Sequence, residues 1–177
     1  MRRLLVSLLV LIGMAQSGCA GSKPAHPPVT GFELKRYLGT WYEIARLPNW
    51  FEKGLTHVTA TYSLRNDGKV KVVNKGYRDG EEKVAEGKAK FAGSPDIGHL
   101  RVSFFWIFYS DYIIVELDPE YRYALVVGSG TDLLWILSRT PELEQEIVDR
   151  LLDRARALGI DTDQVYFTPR KGEQGKE

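Results

Sequence analysis

Few side chains in this sequence have the type and spacing that covalent or metal chemistry requires. The three histidines, His26, His57 and His99, match no metal-ligand pattern with one another or with a cysteine. No Ser-His-Asp set and no nucleophile elbow occurs. Gly128-Ser129-Gly130 has the composition of a phosphate cradle, but a cradle needs a helix directly after it and a strand-like run follows. No catalytic residue, metal or cofactor is therefore expected. The one reactive atom in a distinctive setting is the thiol of Cys19, the only cysteine, among Ser17, Gly18 and Ala20. What is left to the rest of the chain is the chemistry of binding, in which apolar walls bury a ligand and a few polar groups orient it.

Cys19 takes its meaning from what precedes it. Met1-Arg2-Arg3 is basic, and Leu4 to Ala15 is apolar but too short to span a bilayer comfortably. Together with the small residues around the cysteine, this resembles a bacterial lipoprotein signal peptide, residues 1–18, cut so that Cys19 is acylated. The resemblance implies an anchor of several acyl chains, palmitate among them, because one chain alone holds only marginally. Ala20 in place of an aspartate implies the outer membrane of a Gram-negative bacterium, with the protein facing the periplasm. No cysteine then remains for a disulfide. Residues 19–31 comprise the acylated Cys19 and a flexible tether rich in Pro, Gly and small residues. Fully extended, residues 20–31 reach about 40 Å.

The 177 residues allow one domain beyond that segment, and 24 Lys plus Arg balance 23 Asp plus Glu, which disfavours nucleic acid as a partner. Phe32 to Leu38 suits one helical turn. Strand-like runs follow at 41–46, 57–65, 70–77, 83–91, 100–105, 112–118, 123–129 and 133–138, separated by turn signals such as Asn66-Asp67-Gly68 and Asp79-Gly80. Thr140-Pro141 predicts a helix start, and Leu143, Ile147, Leu151, Ala155 and Leu158 form its apolar stripe before Gly159 ends it. Gln164 to Thr168 reads as a short last strand and 169–177 as a disordered tail. Eight sequential antiparallel strands suit an all-β, up-and-down barrel with the helix outside, wide enough for one small ligand.

Three stretches then fall in order: Gly39-x-Trp41-Tyr42 on the first strand, Leu117 to Val126 across the sixth turn, and Trp135-Ile136-Leu137-Ser138-Arg139 ahead of the helix. This resembles the lipocalin family over residues 32–168, in particular the bacterial outer-membrane lipocalins akin to apolipoprotein D. The resemblance implies that Gly39, Trp41 and Arg139 are structural, with the arginine stacked across a tryptophan that plugs the closed end.

Alternation nominates an inward wall of Val58, Ala60, Val70, Val72, Ala85, Ala89, Leu100, Val102, Phe104, Ile114, Leu125, Val127 and Trp135, with Tyr62, Asn74, Glu116 and Tyr123 as polar candidates. Of these, Tyr62, Val72, Asn74, Ala85, Ala89, Val102, Phe104, Ile114, Leu125 and Trp135 are the expected ligand contacts. Small inward residues (Ala85, Gly87 and Ala89) leave volume for a tail, and Glu116 argues against a deep anionic headgroup. The loops at the open end bring Trp50 and Phe51 together with Trp106, Phe108 and Tyr109. These aromatics fold inward as a lid, touch a membrane or lipid, or form a self-association surface such as a homodimer. A membrane-anchored carrier of fatty acids, lysophospholipids or similar amphiphiles is the function expected. An anchored protein-interaction module with a filled barrel comes second, and an enzymatic lipocalin third.

Overall fold

The computed structural model describes residues 23–105 and 107–170. The expected signal peptide, Cys19, Trp106 and residues 171–177 of the expected tail lie outside the described residues. A single turn, α1 (Leu34–Tyr37), leads into β1 (Gly39–Arg46), β2 (Thr56–Leu64), β3 (Val70–Arg78), β4 (Glu81–Phe91), β5 (His99–Phe105), β6 (Phe108–Leu117), β7 (Tyr123–Val127) and β8 (Leu134–Ser138). Helix α2 (Gln145–Ala157) and a short β9 (Tyr166–Phe167) complete the chain. From β1 to β8 each strand pairs antiparallel with the next, and β1 pairs with both β2 and β8, so these eight close into a barrel. Closure leaves no bare edge among them. The turn at Asp79-Gly80 has positive φ at both residues, the backbone that a two-residue hairpin needs.

Near the top of the barrel β1 and β2 diverge, and β9 fills the gap. Ala45 pairs with Phe167 and Arg46 with Tyr166, while the His57 amide donates to the Pro169 carbonyl. Two apolar layers result. Outside, Ile113, Val115, Leu125, Val127, Leu134 and Ile136 pack under Val148, Leu151, Leu152 and Ala155 of α2. Inside, Trp41, Tyr62, Val70, Val72, Ala89, Leu100, Ile114, Ala124, Val126 and Leu137 fill the lower lumen.

Three features differ from the sequence expectation. The helix begins at Gln145, because Thr140 is engaged in a turn, its Oγ1 donating to the Glu142 carbonyl and its amide to Ser138 Oγ. Leu125 and Val127 lie under α2 and Ala124 and Val126 face inward; all five residues of β7 are buried and the four after Tyr123 are apolar, so alternation carries no phase there. A register shift between Ile114 and Glu116 turns Glu116 outward, where Arg154 of α2 approaches it at 3.9 Å. Tyr123 likewise belongs to the outer layer, its hydroxyl accepting from Arg150 at 2.7 Å.

The N-terminal segment is not wholly a free tether. The Val29 amide donates to Ile114 O and its carbonyl accepts from Gly98 N, both at 2.9 Å. Thr30 bridges Ile97, and the Phe32 amide donates to Asp96 O. Gly98 is required at this crossing, because a Cβ there would come within 2.7 Å of Val29 Cγ2. Higher up, His26 Nε2 lies 3.0 Å from the carbonyl of Gly130, in the loop between β7 and β8. Residues 26–32 thus climb the barrel wall from its closed end to its open end.

Candidate functional site: the barrel lumen and its rim

The lumen is built upward from a closed floor. Trp41 is fully buried, its indole N–H donating to the Tyr37 carbonyl, and the Arg139 guanidinium stacks 4.0 Å from its ring. Arg139 also donates to the carbonyls of Arg36, Thr40 and Tyr121, tying α1, β1 and the β6–β7 turn together with one planar fork. Gly39 holds φ +97, and a Cβ there would stand 3.3 Å from Arg139 Nη1. The glycine therefore admits both the backbone turn and the guanidinium.

Above the floor lies a chain of three tyrosine hydroxyls, with Tyr112 between Tyr37 at 2.7 Å and Tyr62 at 2.8 Å. Burial pushes all three phenols above their ordinary range, so they remain neutral. The expected contacts Tyr62, Val72, Ala89 and Ile114 are buried here, and Leu125 is not among them. Val102, Phe104 and Trp135 face the lumen higher up and are only partly buried, as are Ala60 and Tyr112. Asn74 and Ala85 pair with each other on the same inward register, and Ala85 is exposed at the top. The side chains of the lower lumen are buried, whereas those of the upper wall remain partly exposed. Gly87 leaves no space there, because the Phe104 ring already comes within 2.8 Å of where its Cβ would be.

One side of the upper lumen holds a polar cluster that the sequence reading missed. A register shift in β1 between Glu43 and Ala45 puts Glu43 and Arg46 together, 2.6 Å apart and buried. Thr168 Oγ1 donates to Glu43, and Arg46 donates to the Glu52 carbonyl and stacks on Tyr166. Burial, and next the Glu52 charge, raise the Glu43 carboxyl to about 7 despite Arg46. Glu52 descends from the β1–β2 loop and its Oε2 accepts from Asn49 at 2.6 Å and from the Trp135 indole at 2.9 Å. No spacing signals this cluster, since its members come from β1, a loop, β8 and the chain after β9.

The rim divides the aromatics expected there. Trp50 is 78% exposed and Phe108 76%, joined by Phe105 and Ile107, so neither folds inward. Phe51 leans toward Trp135, with ring centroids 6.5 Å apart. Tyr109 turns to the outer face instead, over the ammonium groups of Lys88 and Lys90 at 5.8 and 4.7 Å. The histidines are scattered, His26 on Gly130, His57 beside Thr56, and His99 on Asp111.

Known proteins match this arrangement over nearly all its length. A lipocalin-like domain model matches residues 32–170. The outer membrane lipoprotein Blc of Vibrio cholerae is 47% identical over 90% of this chain and 95% of its own. Blc of Escherichia coli K12 is 47% identical over 93% and 98%, and bovine apolipoprotein D 38% over 93% and 92%. Insecticyanin from the tobacco hornworm shares the fold with a TM-score of 0.68, at 24% identity over 86% of this chain and 88% of its own. With a family model spanning the whole barrel and relatives near half identical over almost their full length, the chain belongs to the lipocalin-like family and is, like Blc, a lipid-anchored outer-membrane protein.

Proposed function

We propose that this protein binds and carries fatty acids, lysophospholipids or similar single-tailed amphiphiles, with the tail in the upper lumen and the headgroup at the mouth. The observation that carries this is the contrast between a buried lower lumen and a partly exposed, mostly apolar upper wall of Ala60, Val102, Phe104 and Trp135. Each buried methylene contributes about 0.8 kcal/mol, so roughly ten support micromolar affinity after ordering costs. The role is reversible burial rather than turnover.

The docked strap sets the orientation of the mouth. Only six residues separate Cys19 from His26, seven steps along the chain and a reach of about 25 Å and not 40 Å. The anchor therefore leaves from the open end and keeps the aromatic rim toward the leaflet, where ligands load. The exposed rim also favours a second role, docking of a protein or a second copy on Trp50 and Phe108. Titration of the delipidated Cys19→Ser chain with a fluorescent fatty acid decides between them. The carrier role requires saturable binding at one site per chain and its loss in Val102→Trp, which fills the upper lumen. Absence of saturable binding would leave only the docking role.

A further inference from the structure

Polar atoms in the lumen are left over once the protein's own hydrogen bonds are assigned. The chain of Tyr37, Tyr112 and Tyr62 hydroxyls has three protons and, among the described residues, two bonds. Whichever way it runs, one O–H remains to donate. The strand beside Tyr62 carries a second orphan, because Asn74 Oδ1 is buried and has no hydrogen-bond partner among the described residues. Asn74 pairs across the sheet with Ala60 and Ala85, whose short side chains leave room around the amide. It stands one inward position above Val72, which faces Tyr62, so the amide and the tyrosine chain border the same stretch of lumen. An unmade hydrogen bond at a buried group costs about 1–3 kcal/mol, and a plain hydrocarbon tail satisfies neither orphan.

A carboxylate fits poorly, since the spare donors there, a phenol and the Asn74 amide N–H groups, are neutral, and the orphan Asn74 oxygen repels a buried charge. A hydroxyl fits both, because it accepts from a phenol and donates to an amide oxygen. We infer that the lumen is built for an amphiphile whose buried chain carries alcohol oxygen, held between the tyrosine chain and Asn74. This rests on the carrier role proposed above. The charged headgroup stays at the mouth and the hydroxyl marks the deep part of the tail.

The test is a competition titration of the full chain, carrying Cys19→Ser and delipidated, with saturated fatty acids from decanoic to hexadecanoic acid. Each acid is compared with its mid-chain and terminal hydroxy derivatives. At least one hydroxy acid should bind about five- to tenfold more tightly than its parent, as one net hydrogen bond provides. Tyr112→Phe with Asn74→Leu should abolish that preference, read as the ratio of hydroxy to parent affinity within each variant; the single variants should each lose part of it and serve if the pair does not fold. Equal affinities throughout in the unaltered lumen, or a preference that survives in the folded variants, would overturn the inference and leave the carrier role intact. No saturable binding of any acid would overturn both.

Discussion

At the scale of residues, the least expected feature is Glu43, a carboxyl buried within 2.6 Å of Arg46 yet held near pKa 7 by desolvation and by Glu52. A carboxyl whose pKa is raised on folding favours the native state most fully below its unfolded value, near 4.5, and loses that contribution as pH climbs toward 7. Thermal melts of the wild type and Glu43→Gln between pH 4.5 and 8 should therefore diverge, the variant gaining a few degrees relative to wild type across that window. A constant difference would show that Glu43 ionises in the fold as it does in the open chain. The floor was legible in the sequence because Gly39, Trp41 and Arg139 stand in a recognisable motif order. Glu43, Arg46 and Glu52 were not, since charged residues in a strand and a loop read as solvated until a register shift and a descending loop bring them together.

At the scale of elements, the packing of β4 against β5 depends on the missing side chain of Gly87. Its Cβ would lie 2.7 Å from the Ser103 carbonyl and 2.8 Å from the Phe104 ring. Gly87→Ala must push the strands apart or eject Phe104, and urea denaturation should show a loss of about 1–3 kcal/mol. An unchanged midpoint would mean that the strands yield freely there. The order of the eight strands was readable because turn residues punctuate them. The inward phase of β7 was not, as a strand covered by α2 on one side and lumen on the other is buried throughout and apolar after Tyr123. The same cover explains why Leu125 was misplaced while Ile114, ahead of the register shift, was not.

At the scale of the whole molecule, the strap from Phe32 up to His26 makes the barrel directional with respect to its anchor. Acylated protein in vesicles of lipid brominated near the headgroup should show tryptophan quenching that mostly disappears when both tryptophans of the open-end loops are replaced, Trp50→Phe with Trp106→Phe; quenching that persists undiminished in that double variant would mean that the rim faces away from the leaflet. Composition suggests an anchor followed by a free tether, whereas the close crossing of Val29 over Gly98 shows that the later part of that segment is docked. Where a bound tail lies is the most direct question of all, and anomalous diffraction from crystals grown with a lysophospholipid brominated on its acyl chain answers it. The bromine should appear inside the barrel, above Tyr112 and among Val102, Phe104 and Trp135. A bromine found only outside, against Trp50 and Phe108, would contradict a lumen that carries lipid.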